Sequence, residues 1–118
     1  MTGRRYLILM FHQCRRLPYR KAQQIAYLTG LYSDFKHFAL GMYSDEMLAD
    51  LTTLSSLGIL RSTPEFYEAT DKCDRLAEEV KRMLNPEEIQ KFQESVELFN
   101  KFDADVLSMM AKASFIRQ

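Results

Sequence analysis

The basic residues near the amino terminus are the side chains whose clustering best suits a chemical task, the binding of phosphates. Residues 1–37 carry seven basic side chains and one acid, whereas residues 38–118 carry nine basic side chains and fifteen acids, so the whole chain has no net charge. A local positive field attracts a polyanion even when the total charge is zero. Helices with solvated outer faces produce the same pattern, and the sequence alone leaves both interpretations open.

The first hypothesis is therefore a nucleic-acid-binding surface, with double-stranded DNA as the expected ligand. One arginine from a predicted hairpin joins six basic residues of the amino-terminal region. The residues assigned to this surface are Arg4, Arg5, Arg15, Arg16, Arg20, Lys21 and Arg61.

The other reactive side chains form no catalytic or metal-binding pattern. His12 and His37 have no carboxylate or cysteine at metal-ligand spacing, and Cys14 and Cys73 lie 59 positions apart. The four glycines form no phosphate-binding loop, and no serine lies in a nucleophile-elbow motif. We predict a protein that is not an enzyme and that uses no metal or cofactor.

The cysteines and the hydropathy indicate a compartment. Cys14 falls on an apolar helical face and Cys73 at a tight junction, so both are expected to be free thiols under reducing conditions. The apolar run at residues 6–11 is too short for a signal peptide. No stretch approaches the roughly 20 apolar residues of a membrane span. We therefore expect a cytoplasmic protein with no membrane partner.

Two helices are predicted to carry the basic residues. Apolar residues at helical spacing predict the first helix over about residues 4–16. Pro18 is predicted to end that helix and to open the second one as a first-turn residue. The buried stripe of the second helix is predicted to consist of Ala22, Ile25, Ala26 and Thr29.

A short strand and a third helix are predicted to follow. Residues 35–40 are aromatic and favour a strand, and Gly41 favours a turn. Ser44 is a good N-cap for a helix that closes at Gly58. The residues predicted to point inward from this helix are Met47, Leu48, Leu51 and Leu54.

A hairpin and a helical carboxy-terminal part complete the pattern. Strands are predicted over residues 59–62 and 66–69, and Thr70 is predicted to cap the fourth helix. The apolar face of that helix is predicted to contain Leu76, Ala77, Val80, Met83 and Leu84. Asn85 and Pro86 begin a last helical segment, which is either one long helix or two with a break near Asp103.

Two stretches resemble known families. Residues 54–84, a helix followed by a hairpin of about ten residues and a Thr-capped helix, resemble the winged helix-turn-helix fold. Residues 21–28 and 41–47, with Gly41, Tyr43 and Ser44, resemble the YwgA-like and Panacea-type winged-helix domains. Met42 stands where those families tend to have proline, and Cys73 where many winged helices have glycine. The likeness covers roughly residues 5–84.

The resemblance implies a mainly α fold of the α+β class, a winged helix-turn-helix with a small β-hairpin wing and a carboxy-terminal helical extension. We expect one domain over residues 1–118, with its core at about 4–84 and the extension at about 86–117. Members of these families are mostly regulatory or uncharacterised scaffolds without enzymatic activity, and some Panacea-type domains are antitoxins that bind protein toxins. Because the fold does not determine the function, a regulator resembling transcription factors is only the first hypothesis.

The competing hypothesis is a protein-interaction module, either an adaptor or an antitoxin-like protein. The helix expected to read DNA contains Asp45, Glu46 and Asp50 and no Lys or Arg, which opposes docking on phosphates. The extension is rich in apolar residues that would suit a partner groove or a homodimer, or would be core if it packs back across the first helix. The residues assigned to this interface are Phe99, Phe102, Leu107, Met110, Phe115 and Ile116.

Overall fold

The structure is a computed structural model that describes residues 3–38 and 41–116, without the side chains at positions 38, 41, 115 and 116. The described part is mainly helical and has small antiparallel sheets, so the predicted α+β class is confirmed. Its helices are α1 (Gly3–Cys14), α2 (Tyr19–Leu28), α3 (Asp45–Ser56), α4 (Asp71–Met83), α5 (Pro86–Asn100) and α6 (Ala104–Ile116). Its strands are β1 (Arg16–Pro18), β2 (Lys36–Phe38), β3 (Gly41–Tyr43), β4 (Leu60–Ser62) and β5 (Phe66–Ala69).

Three of the helix starts that the sequence predicted are confirmed by their capping bonds, whereas Pro18, predicted as a first-turn residue, is the N-cap of α2 and the last residue of β1. Ser44 Oγ accepts a hydrogen bond from Met47 N at 3.0 Å at the start of α3. Thr70 Oγ1 accepts one from the backbone at the start of α4, and Asn85 Oδ1 accepts two at the start of α5. Each bond satisfies a backbone N–H that has no partner within the helix.

The strand β1 was not predicted, because the first helix was expected to continue to about residue 16 and ends at Cys14. Arg15 has a φ of 70°, a left-handed conformation that stops the helix at Cys14. The carbonyl of Arg15 then accepts a hydrogen bond from Ala69 N at 2.7 Å, and residues 16–18 pair with β5. The resulting sheet has the order β1-β5-β4, with Pro18 tolerated on an edge strand.

The aromatic strand forms half of a second hairpin. β2 pairs antiparallel with β3, and Gly41, which was expected to supply a turn, is instead the first residue of β3. Positions 39 and 40 of the predicted strand lie outside the described residues. This hairpin lies between α2 and α3 in the chain and leads directly to the Ser44 cap.

The core is centred on α1, whose Leu7, Leu9, Met10 and Phe11 are completely buried. Helix α4 packs on α1, α5 packs on both α1 and α2, and α6 packs on α2. The carboxy-terminal segment is therefore two helices, with Asp103 Oδ1 accepting a hydrogen bond from Val106 N at 2.9 Å at the start of α6. It packs back on the protein as core, but α6 lies on α2 and not on α1.

Two residues predicted to point inward are on the surface. Leu48 is 40% exposed and Met83 is 56% exposed. The inward face of α3 is formed by Met47, Asp50 and Leu51, and a rotation of about 100° per residue turns Leu48 toward the flank. Met83 is the last residue of α4.

Candidate functional site

Four of the seven residues predicted to bind nucleic acid are engaged in ion pairs with carboxylates of the same chain. The closest distances are 3.1 Å for Arg4 with Asp50, 2.5 Å for Arg15 with Asp74, 3.2 Å for Arg20 with Asp105 and 2.6 Å for Arg61 with Glu68. In each pair the carboxylate offsets the arginine charge that a phosphate would otherwise meet. The pairs of Arg4, Arg15 and Arg20 therefore offset part of the positive excess of residues 1–37 in the folded chain.

The other three predicted residues have different surroundings. Lys21 Nζ donates a hydrogen bond to the carbonyl of Asn100 at 2.8 Å. The Arg16 guanidinium lies over the ring of Phe66, 4.6 Å from its centroid. Arg5 is exposed and has no ion pair within the described ranges 3–38 and 41–116. Of the seven predicted residues, only Arg5 and Arg16 thus present an exposed guanidinium that has no ion pair among the described residues.

The predicted basic residues do not all converge on one face, although Arg16 and Arg61 flank Glu68 across the sheet. Arg4 and Arg15 lie at opposite ends of α1, about 16 Å apart along the helix axis. Arg4 is held against α3 and Arg15 against α4, whereas Arg20 reaches α6. These three pairs act as separate contacts between elements, whereas the Arg61–Glu68 pair lies within the hairpin β4–β5.

Asp50 is the centre of one of these contacts between elements. From the sequence, it was expected among the acids that α3 presents outward. Its residue exposure is only 8%. One carboxylate oxygen accepts a hydrogen bond from Tyr32 Oη at 2.6 Å, and the other accepts one from Arg4 Nε at 3.1 Å. Burial, followed by the hydrogen bond to Asp50, raises the pKa of Tyr32. Asp50 lies three residues after the inward Met47 and one before the inward Leu51. This helical spacing is the sequence signal that could have placed the acid on the inner face.

Gly3 allows helix α1 to approach Tyr32 closely enough for the contacts with Asp50 to form. A Cβ atom at this position would lie 2.9 Å from Cε1 of Tyr32, which is closer than side-chain carbons approach each other. The first turn of α1 therefore packs directly on the Tyr32 ring, and Arg4 follows within reach of Asp50. The hydrogen bonds that Asp50 accepts from Arg4 and Tyr32 thus connect α3 to α1 and to the segment after α2.

Asp74 is the centre of a second such contact, between the end of α1 and the start of α4. It accepts hydrogen bonds from Arg15 Nη2 at 3.1 Å and from His12 Nδ1 at 2.7 Å. These two hydrogen bonds, the one from Arg15 being the stronger influence, lower the pKa of Asp74 to about 2. A histidine beside a carboxylate is also an arrangement found in catalysis. Here Arg15 donates hydrogen bonds to the Asp74 carboxylate and to the backbone carbonyl of His12, which completes a structural ion pair.

This second contact predicts a specific acid dependence of stability. The pKa of Asp74 is lower in the folded state than the ordinary value near 4, so its contribution is complete above about pH 4 and is lost as the pH falls to about 2. Asp74→Asn should cost about 1 kcal/mol at neutral pH, after allowance for solvent screening, and almost nothing near pH 2. Urea unfolding across this range measures the difference, with Asp71→Asn as the neighbouring control. A constant difference at every pH would contradict the assignment.

The cysteines and the second histidine offer no reactive group. Cys73 is buried with its thiol 3.6 Å from the carbonyl of Ile8, and Cys14 is half-buried. Burial raises the pKa of both thiols to about 11, so neither is a thiolate at neutral pH. Burial lowers the pKa of His37. No three metal-binding side chains come together in the part of the chain that the structure describes.

The residues predicted to form an apolar interface are mostly part of the core. Leu107 is completely buried, and Phe99, Phe102 and Met110 are half-buried against the core. The side chains of Phe115 and Ile116 lie outside the described residues. Among the described side chains of α6, the exposed apolar residues are instead Val106, Met109 and Ala113, on the opposite face.

The exposed face of α3 is neutral and acidic. Leu48, Ala49 and Thr52 are exposed along it, and Asp45 and Glu46 are exposed at its first turn. Lys36 lies 3.4 Å from Asp45, with both side chains more than half exposed, so this pair is weak. The helix supplies no cation for a phosphate, and Leu48 offers an apolar side chain of the kind that protein interfaces use.

None of the described helices has the length and apolar character needed to cross a membrane. Comparison with known proteins finds no match to this chain among family models, curated proteins or solved structures.

Proposed function

We propose that this chain is a non-enzymatic, cytoplasmic winged-helix protein that binds a protein partner, as an adaptor or an antitoxin-like module. The observation that carries the proposal is the ion pairing of Arg4, Arg15, Arg20 and Arg61 with carboxylates of the chain itself. A protein that docks on DNA keeps its cations available, because affinity comes largely from counterions released at phosphates.

The winged-helix part of the proposal is supported by the order of the elements. Helix α1, strand β1, helices α2 and α3, and the hairpin β4–β5 follow one another as in a winged helix-turn-helix. The sheet order β1-β5-β4 places the hairpin beside the strand that follows α1. The hairpin β2–β3 between α2 and α3 departs from the short turn that usually joins these helices. The resemblance to YwgA-like and Panacea-type domains agrees with this assignment.

The partner is proposed to bind the exposed face of α3. In a DNA-binding winged helix this helix enters the major groove, so it is the element that the fold presents outward. Its outward side chains are Leu48, Ala49 and Thr52, with Asp45 and Glu46 at the first turn. This composition fits a protein surface that offers apolar and basic side chains, whereas phosphates would be repelled.

Recovery of the complex from the native cells tests this function. We expect the tagged wild-type chain to retain one protein partner after nuclease treatment, and Leu48→Arg to lose it at least tenfold because a charge replaces the apolar contact. Met83→Arg on α4, at a side chain that is 56% exposed compared with 40% for Leu48, is the matched control and should retain the partner. Recovery of nuclease-sensitive nucleic acid, unaffected by Leu48→Arg, would contradict the proposal.

Regulatory binding of double-stranded DNA is the competing proposal, and one observation favours it. Arg5 and Arg16 are exposed, and neither is paired with a carboxylate among the described residues. Two cations provide a small electrostatic contribution compared with the six to ten phosphate contacts typical of a salt-sensitive DNA-binding protein.

A further inference from the structure

Helix α6 is apolar on two opposite faces. On the inner face Leu107 and Ala111 are completely buried, in the region where α6 packs on α2. On the outer face Met109 is 71% exposed and Val106 is 38% exposed. Arg20 and Gln24 of α2 both donate hydrogen bonds to Ser108, so the orientation of α6 on α2 is fixed by polar contacts. A helix that is apolar all round normally buries its second face as well.

The outer face of α6 has an ordered arrangement of side chains. With about 100° of rotation per residue, Met109 lies at its centre, opposite the buried Leu107 and Ala111. The exposed Val106 and Ala113 lie along one edge of this face. The exposed residues Asp105 and Lys112 lie along the other edge. Each edge pair is separated by seven residues, or about 10.5 Å along the axis.

This arrangement is complementary to itself when the helix direction is reversed. We propose that a second copy of this chain docks on α6, with the two α6 helices antiparallel and related by a two-fold axis beside Met109. The axis places Asp105 opposite Lys112 of the second copy. By symmetry Lys112 lies opposite Asp105 of the second copy, further along the helix beyond Met109. It also places Val106 opposite the small Ala113 of the second copy. The interface is thus isologous, as two-fold symmetry requires.

The charged edge is available for these contacts. The Asp105 side chain is 88% exposed even though it lies 3.2 Å from Arg20 Nη1, so it can accept a second donor. Lys112 is also exposed. One helix pair buries less area than a standard interface of about 1,600 Å², so a dimer with a micromolar dissociation constant is expected.

Sedimentation equilibrium from about 1 to 200 µM tests the dimer, in a range that brackets a micromolar dissociation constant. We expect the wild-type mass to rise toward twice the chain mass, and Met109→Glu to raise the dissociation constant at least tenfold. Met83→Glu on α4 is exposed to a similar degree and should leave it unchanged. A wild-type chain that stays monomeric throughout, or a dimer insensitive to Met109→Glu, would overturn the proposal.

A charge exchange tests the antiparallel orientation. Asp105→Lys alone places two lysines opposite each other at both symmetric positions, and should weaken the dimer about tenfold. The double variant Asp105→Lys/Lys112→Asp restores opposite charges and should return the dissociation constant to within about threefold of wild type. Failure of the second change to restore association would refute the antiparallel pairing. Thermal unfolding of each variant verifies that it is folded. None of these substitutions alters the exposed face of α3, so the dimer is tested separately from the proposed partner binding.

Discussion

Replacing Asp50 by alanine is expected to lower the free energy of unfolding by about 3 kcal/mol, a large fraction of the stability of a domain this size. The carboxylate is buried and accepts hydrogen bonds from Tyr32 and Arg4. Its removal leaves the Tyr32 hydroxyl without its acceptor in a buried position, and such a group costs about 1–3 kcal/mol. The hydrogen bond from the charged Arg4 is lost as well. Urea unfolding monitored by circular dichroism measures the change.

A double-mutant cycle separates this effect from a general disturbance of α3. Tyr32→Phe removes the donor and retains the ring against Gly3. We expect the two substitutions together to cost about 1–2 kcal/mol less than the sum of the single effects, because each removes the same bond. Thr52→Ala, on the exposed face of α3, should change stability by less than about 0.5 kcal/mol. Additive effects of the two substitutions would show that Asp50 and Tyr32 do not interact.

The second large effect is expected at Leu107. Leu107→Ala should destabilise the protein by about 3 kcal/mol, because the side chain is completely buried in the same core cluster as residues of α1 and α2. Met109→Ala, two positions along the same helix but 71% exposed, should change stability by less than about 0.5 kcal/mol in dilute solution. Chemical unfolding at low protein concentration, where self-association does not contribute, compares the two variants. Equal effects would contradict the placement of the two faces of α6.

Local sequence signals predicted the elements that depend on neighbouring residues. The caps at Ser44, Thr70 and Asn85 each use a side chain within three residues of the backbone groups that it satisfies. Strand β1 could not be predicted in the same way, because it exists only through pairing with β5, about fifty positions later in the chain. The apolar spacing of α1 continued to Cys14, and nothing local indicated the left-handed Arg15.

The candidate site was less predictable, since it depends on long-range contacts. The sequence excess of positive charge in residues 1–37 is real, but Arg4 meets a carboxylate 46 positions away and Arg20 meets one 85 positions away. In α6 the apolar residues cover both faces, so periodicity could not decide which face is core. Leu107 was consequently assigned to an interface, whereas the exposed Val106 and Met109 were not.

A measurement of DNA binding is the most direct test of the central claim, which is that the chain's own carboxylates neutralise four of the six arginines predicted to bind nucleic acid. Fluorescence anisotropy follows the titration of labelled duplex DNA at about 50 mM and 200 mM salt, for wild type and for Arg5→Ala/Arg16→Ala. We expect no saturable binding at either salt concentration, and the same anisotropy curve for both proteins. Saturable binding at low salt that weakens at least tenfold at high salt, and that the double substitution abolishes, would contradict it.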